Sequence, residues 1–197
     1  MQNEKSVVTI RPATKDEVCF VAEAVLNAIG MPEITADFIA RIALLCANDG
    51  VLYGWRNACV AERDGVLLGA MVSYDGAFYQ KMKAETIRQL EMADRPYCNL
   101  EFADMFRTMA AETQAGEYYV DSLYVVPSAR RQGVAQSLLR HASEQAKTLG
   151  IAAVTLVVSP ENENACRLYN ALGFVAVGEA FLFGEDYTRM RMHLTDK

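Results

Sequence analysis

The reading of the fold turns on Val126-Pro127-Ser128-Ala129-Arg130-Arg131-Gln132-Gly133-Val134-Ala135. Tyr118 to Val126, rich in β-branched and aromatic residues, reads as a strand leading into it. Arg130 to Leu149 reads as a helix, with Val134, Leu138, Ala142 and Ala146 on one side. The stretch therefore joins a strand to a helix. A glycine at the mouth of a helix lets backbone N–H groups approach a phosphate closely, and the helix dipole favours the negative charge. Arg130 and Arg131 add cationic donors to a chain whose formal charge is −6. No Gly-Lys-Ser/Thr follows, so this is not a Walker loop. Only Gly133 stands where the dinucleotide fingerprint would carry three glycines. Taken alone, the segment reads equally as a strand-to-helix turn with a solvated basic start.

Further along lies Asn162-Glu163-Asn164-Ala165-Cys166-Arg167-Leu168-Tyr169-Asn170-Ala171-Leu172-Gly173-Phe174. Arg130-x-x-Gly133-x-Ala135 resembles the R/Q-x-x-G-x-G/A pyrophosphate loop of the GNAT acetyltransferases. Asn162-x-x-Ala165-x-x-Leu168-Tyr169 followed by Gly173-Phe174 resembles their second motif. Together the two cover roughly Tyr118 to Gly178. Ala135 departs from the glycine of many members, though the pattern admits it. The resemblance implies an α/β fold with a GNAT-like mixed, mostly antiparallel central sheet flanked by helices. It also implies acetyl-CoA as co-substrate, with pantetheine slotted between two splayed strands.

Carried onto this sequence, the resemblance gives backbone groups of Leu123, Tyr124 and Val125 to the acetyl and pantetheine amides. The partner strand is Ala152 to Val158. The pyrophosphate rests on N–H groups of Arg131, Gln132, Gly133, Val134 and Ala135, with Arg130 at the entrance. Asn162 contacts the CoA arm; its type and position also suit a helix N-cap. Tyr169 matches the family's general acid. A phenol with a pKa near 10 stays protonated at neutral pH and can donate to a departing thiolate. The alternative for Tyr169 is packing on the sheet with Leu168 and Leu172.

A base is needed as well, because an alkylammonium cannot attack before losing a proton. The Ala152–Val158 run carries no acid. Asp121 is the candidate, read as sharing a strand face with Tyr119 and Leu123. Glu117, further back, is the second choice. Glu101 is a further carboxylate that suits an amine. Trp55, in Tyr53-Gly54-Trp55-Arg56-Asn57, is the only tryptophan and a candidate for the acceptor site.

Outward from the two motifs, the pattern alternates. Val7 to Ile10 reads as a strand ended by Pro12, and Asp16 to Ile29 as a helix behind Thr14. A second helix runs from Thr35 to about Asn48, and Asn57–Glu62 and Val66–Tyr74 form a hairpin through Asp64-Gly65. Asn162–Leu172 reads as a helix, and Phe174–Val177 and Thr188–Leu194 as closing strands. Between the third and fourth strands, residues 77–116 form a helical insertion, one helix before Arg95-Pro96 and another from Leu100 to Gln114. The insertion suits a lid over an acceptor pocket. Its methionines with Phe102 and Phe106 suit ordinary packing or a homodimer face equally.

The 197 residues are 52% hydrophobic and 22% charged, the composition of a globular protein with one domain, 1–197. The acidic balance argues against nucleic acid as a partner, which needs clustered cations. No apolar run approaches the ~20 residues of a membrane span. Met1 to Lys5 shows no secretory signal and Thr195-Asp196-Lys197 no lipidation box, so a cytoplasmic location is expected. The cysteines (19, 46, 59, 98 and 166) form no C-x-x-C pair and read mostly as small buried apolar groups; with only two histidines, no metal site is expected. The expected function is N-acetyl transfer from acetyl-CoA directly to a primary amine of a small-molecule or peptide acceptor. The alternative is a non-catalytic acyl-CoA sensor on the same fold.

Overall fold

The structure, a computed structural model, describes residues 7–194. The readings made on Met1–Lys5 and Thr195–Lys197 lie outside the described residues. The elements run β1 (Thr9–Pro12), α1 (Val18–Ala28), α2 (Ala36–Cys46), β2 (Ala58–Arg63), β3 (Val66–Asp75), α3 (Tyr79–Leu90), α4 (Leu100–Thr108) and β4 (Tyr118–Val125). They continue with α5 (Val134–Thr148), β5 (Ala153–Val158), α6 (Glu163–Ala171), β6 (Val175–Leu182) and β7 (Glu185–His193). The strands form one seven-stranded sheet in the order β1-β2-β3-β4-β5-β7-β6. Only β4 and β5 pair in parallel; the other neighbours are antiparallel. This is the mixed, mostly antiparallel sheet expected, with α3 and α4 as the insertion between the third and fourth strands.

Period-two alternation sends successive strand residues to opposite faces. Val60 of β2 joins a core with Val25 of α1 and Leu45 of α2. Its neighbours Cys59 and Ala61 join the opposite core, with Leu138 and Ala142 of α5. Leu138 is fully buried, and burial of a leucine contributes about 1.5–3 kcal/mol. Local chemistry sets the boundaries. Thr35 caps α2 by accepting the Phe38 N–H at 3.2 Å. Asp64 and Gly65 take φ of 52° and 77°, the paired positive values of a type I′ hairpin. Pro12 closes β1, an edge strand, where a missing N–H costs least.

Four expectations are corrected. The helix expected from Leu100 to Gln114 stops at Thr108, because Met109 turns extended (ψ 138°) and the chain carries Glu112 inward to the Tyr119 hydroxyl. The helix expected from Arg130 begins at Val134, because Arg131 and Gly133 both take left-handed φ. The last two strands are longer than their apolar runs. They meet in a turn at Phe183 (φ 53°) and Gly184 (φ 83°), and β6 is an edge strand exposed along almost its whole length, where Gly178 and Glu179 interrupt the apolar run without ending the strand. Of the cysteines only Cys46 and Cys59 are buried, and burial pushes both thiols up to about 12. Among the described residues, no helix is long and apolar enough to cross a membrane.

Candidate active site

The site begins with a pairing that stops. β4 and β5 are in register at Tyr118↔Val154, Tyr119↔Thr155 and Val120↔Leu156. Beyond Val120, β4 continues to Val125 and β5 to Val158 without pairing to each other. On its other side β4 carries a bulge: Ser73 of β3 faces Val120 and Val72 faces Ser122, leaving Asp121 without a partner. A bulge bends its strand and increases the local twist, which suits the parting of β4 from β5. A cleft of about 1320 Å³ opens there, walled by Leu123, Tyr124 and Val125 on one side and Leu156, Val157 and Val158 on the other.

The bulge also resets the alternation. Tyr119 packs in the core of α1 and α2, whereas Leu123 packs against the core of α5. Asp121 therefore does not share one continuous face with both, and the expectation that it does is corrected. Asp121 lines the cleft. It accepts hydrogen bonds from the Tyr74 hydroxyl at 2.6 Å and from Ser122 at 2.9 Å. Burial, and then the nearby Glu112, push its carboxyl up to about 7 against those two hydrogen bonds. A carboxyl tuned there exists in both forms at neutral pH. Glu112 is itself buried, accepts from Tyr119 at 2.7 Å and is raised by burial.

At the end of β4 the chain passes through a 3₁₀ turn at Pro127–Ala129 and enters α5. Arg131 (φ 62°) and Gly133 (φ 82°) curl the backbone. The N–H groups from Arg131 to Gln136 find no acceptor among the described residues; the first that does is Ser137, on the Gly133 carbonyl at 3.0 Å. Consecutive free N–H groups at a helix N-terminus form an anion site. A Cβ built on Gly133 meets nothing within 4 Å, so the space over the loop is open. Arg130 is braced by the Val125 carbonyl at 3.1 Å. Asn162 caps α6 by accepting the Ala165 N–H at 3.2 Å and also lines the cleft. Tyr169 lines it too, its ring 5.7 Å from Phe174. Burial holds this phenol up at about 12. Among the described residues, no group of three or more His, Cys, Asp or Glu side chains is placed to hold a metal ion.

A free N–H cradle, a parted parallel pair and a buried phenol share one cleft, and the sequence profile of the acetyltransferase (GNAT) family matches residues 35–174. The chain belongs to that family. A crystal structure of an acetyltransferase is 26% identical, with a TM-score of 0.70 over 95% of this chain and 100% of that one. An N-acetyltransferase from Staphylococcus aureus Mu50 shares the fold at 21% identity and a TM-score of 0.75, covering 93% of this chain and all of that one. So does yncA of Salmonella typhimurium, solved with its cofactor acetyl-CoA, at 22% identity and a TM-score of 0.58 over 98% and 96% of the two chains. The chloroplastic GCN5-related N-acetyltransferase 6 of Arabidopsis thaliana is 42% identical over 59 residues, which is 30% of this chain. That match spans only 20% of the Arabidopsis protein.

In this GNAT chain the structure brings most of the sequence candidates to one place. Leu123, Tyr124, Val125, Arg130, Arg131, Gly133, Val134, Ala135, Asn162, Tyr169 and Asp121 all line the cleft. Gln132 lies in the loop, but its side chain turns away to the Ser128 carbonyl (2.9 Å) and Arg63 (3.0 Å). Trp55 is off the cleft, stacked under the Arg56 guanidinium at 4.4 Å. Glu101 is exposed on α4 and lies outside the cleft walls. Glu117 is held by Arg189 and Arg191 in paired salt bridges and is not among the residues that line the cleft. Sequence reasoning missed Tyr74 and Glu112, which brace and bias Asp121 from β3 and the α4–β4 connection. It also missed Phe183 and Tyr187, which line the cleft from the β6–β7 hairpin. The Phe183-Gly184 pair was the available sign of that turn.

Proposed function

We propose that this chain transfers an acetyl group from acetyl-CoA directly to a primary amine, with Asp121 as base and Tyr169 as acid. The observation that carries the reading is the bulged Asp121, aimed into the same cleft as Tyr169 and the open N–H loop. The residues fit acetyl-CoA. The free N–H groups from Arg131 to Ala135, with Arg130 and Arg131, would hold the pyrophosphate, and the unpaired edge at Leu123–Val125 would hold the pantetheine amides. Acetyl-CoA supplies the thioester that is cleaved. Asp121, ionised above about 7, takes a proton from the acceptor ammonium. Tyr169, protonated up to about 12, gives its phenolic proton to the sulfur that leaves. A base within the cleft counts against the sensor alternative.

The test is a thermal shift with acetyl-CoA beside CoA, ATP and NAD, followed by free-thiol release with amine acceptors. A ligand at 100 times its Kd stabilises by about 2.7 kcal/mol. A shift with acetyl-CoA and CoA alone, then amine-dependent thiol release, is expected. No shift with either makes the loop a structural turn; a shift without thiol release from any amine favours the sensor.

A further inference from the structure

Beside the cleft lies a second cavity of about 70 Å³ between α1, α2 and α4. Its walls include Phe102 and Phe106 of α4, Tyr53, Ile42 of α2, and Phe183 from the tip of the β6–β7 hairpin. Among the described residues, Arg41 is the only charged one along it. The cavity adjoins the cleft: Ile29, Phe102 and Phe183 line both. Phe183 is set there against its own backbone preference. Its φ of 53° is left-handed, which a bulky residue rarely adopts. Its ring meets Phe106 edge-on at 6.3 Å. Phe106 in turn lies 6.1 Å from Tyr53, whose phenol is raised first by burial and then by the nearby Asp121 carboxylate.

We infer that this cavity receives an apolar side group of the acceptor amine; the inference rests on the transferase reading above. Two observations point to the acceptor and away from the acyl donor. The cavity belongs to the core of α1 and α2, with Tyr53 and Phe106, whereas Val134 of the phosphate loop and Tyr169 belong to the opposite core. Asp121 is braced by Tyr74, also of the cavity's core. An amine at Asp121 thus lies beside the cavity, and its substituent can enter past Phe102 and Phe183. Apolar cavities stay dry until an apolar group fills them. At about 10–15 Å³ for each water-sized sphere, this one takes roughly five to seven non-hydrogen atoms. That suits a branched aliphatic or thioether group and leaves a cationic one without a carboxylate partner among the lining residues.

The experiment follows thiol release from acetyl-CoA with glycinamide, alaninamide, leucinamide, methioninamide and lysinamide. Each methylene buried is worth about a fourfold gain. kcat/KM is expected to rise on the order of a hundredfold from glycinamide to leucinamide or methioninamide, with lysinamide far below them. Ile42→Phe, which fills the cavity, is expected to bring the leucinamide-to-glycinamide ratio toward one while acetyl-CoA still shifts the melting temperature. A flat or falling series overturns the inference and leaves the transferase reading standing. Preference for butyryl-CoA or hexanoyl-CoA over acetyl-CoA, with no dependence on the amine, assigns the cavity to the acyl chain and overturns it too. No thiol release from any amine, with a retained acetyl-CoA shift, overturns the transferase reading itself.

Discussion

The Tyr74 hydroxyl donates a 2.6 Å hydrogen bond to Asp121, from β3 to the one residue of β4 that the bulge leaves unpaired. The bond stabilises the charged carboxylate, while burial and Glu112 oppose it. The balance leaves Asp121 at about 7, near the value that suits a general base at neutral pH. Tyr74→Phe removes the stabilising bond, so the rising limb of kcat/KM against pH is expected to move to higher pH. Glu112→Gln removes a repelling charge and is expected to move the limb to lower pH. Asp121→Asn is expected to abolish the limb. Shifts of the same sign in the first two variants would remove Asp121 from the role.

The same carboxyl makes stability depend on pH. Its folded value of about 7 exceeds the ordinary carboxylate value of about 3.9. Between those two values the folded chain therefore binds more protons than the unfolded chain. Stability contributed by this group is present below about pH 4 and declines as pH rises toward 7, by up to about 1.36 kcal/mol for each pH unit. Asp121→Asn lacks that decline. Melting curves without ligand are expected to show the variant gaining on the wild type from pH 4 to 7; a constant difference would mean that Asp121 titrates normally.

Tyr169→Phe keeps the ring against Phe174 and deletes only the hydroxyl. Loss of a positioned general acid costs on the order of 10²-fold or more in rate. kcat is expected to fall by that amount while acetyl-CoA stabilises the variant as it does the wild type. An unchanged kcat would return Tyr169 to a packing role.

The half of the candidate site proposed for the cofactor was legible because its determinants are local. Gly133 must sit at the helix mouth, Asn162 caps the next helix, and Tyr169 falls one face along; each position depends on neighbours within a turn or two. The half proposed for the acceptor was not, because it depends on register between distant segments. A bulge has no residue signature here, so the face of Asp121 could not be read from period two. Glu112 lay inside an expected helix, and its buried role follows from meeting Tyr119 and Tyr79. Glu101 and Trp55 were chosen by residue type within plausible segments, and type does not say which way a side chain turns.

Gly133 tests the cradle separately from the fold. Its φ of 82° is left-handed, so any side chain there is strained, by about 1–2 kcal/mol. A Cβ meets no protein atom, so Gly133→Val extends into the open space over the free N–H groups. The variant is expected to melt a few degrees lower and to lose the acetyl-CoA shift altogether. A retained shift would place the pyrophosphate elsewhere.

Glu117 separates a structural carboxylate from a catalytic one. Its side chain is 3% exposed and is shared by Arg189 and Arg191 of β7, with Thr113 donating at 3.1 Å. Removing one partner of a buried ion pair strands the other charge, at a cost of about 3–5 kcal/mol. Both arginines keep some contact with water, at 21% and 29% exposure, so the lower figure applies to Glu117→Gln. At roughly 2–4 °C for each kcal/mol in a chain of this size, the melting point is expected to drop by about 6–12 °C. The pH limb assigned to Asp121 should stay where it is, because Glu117 lies off the cleft. A stable Glu117→Gln variant with a displaced limb would reverse the two assignments and make Glu117 the base.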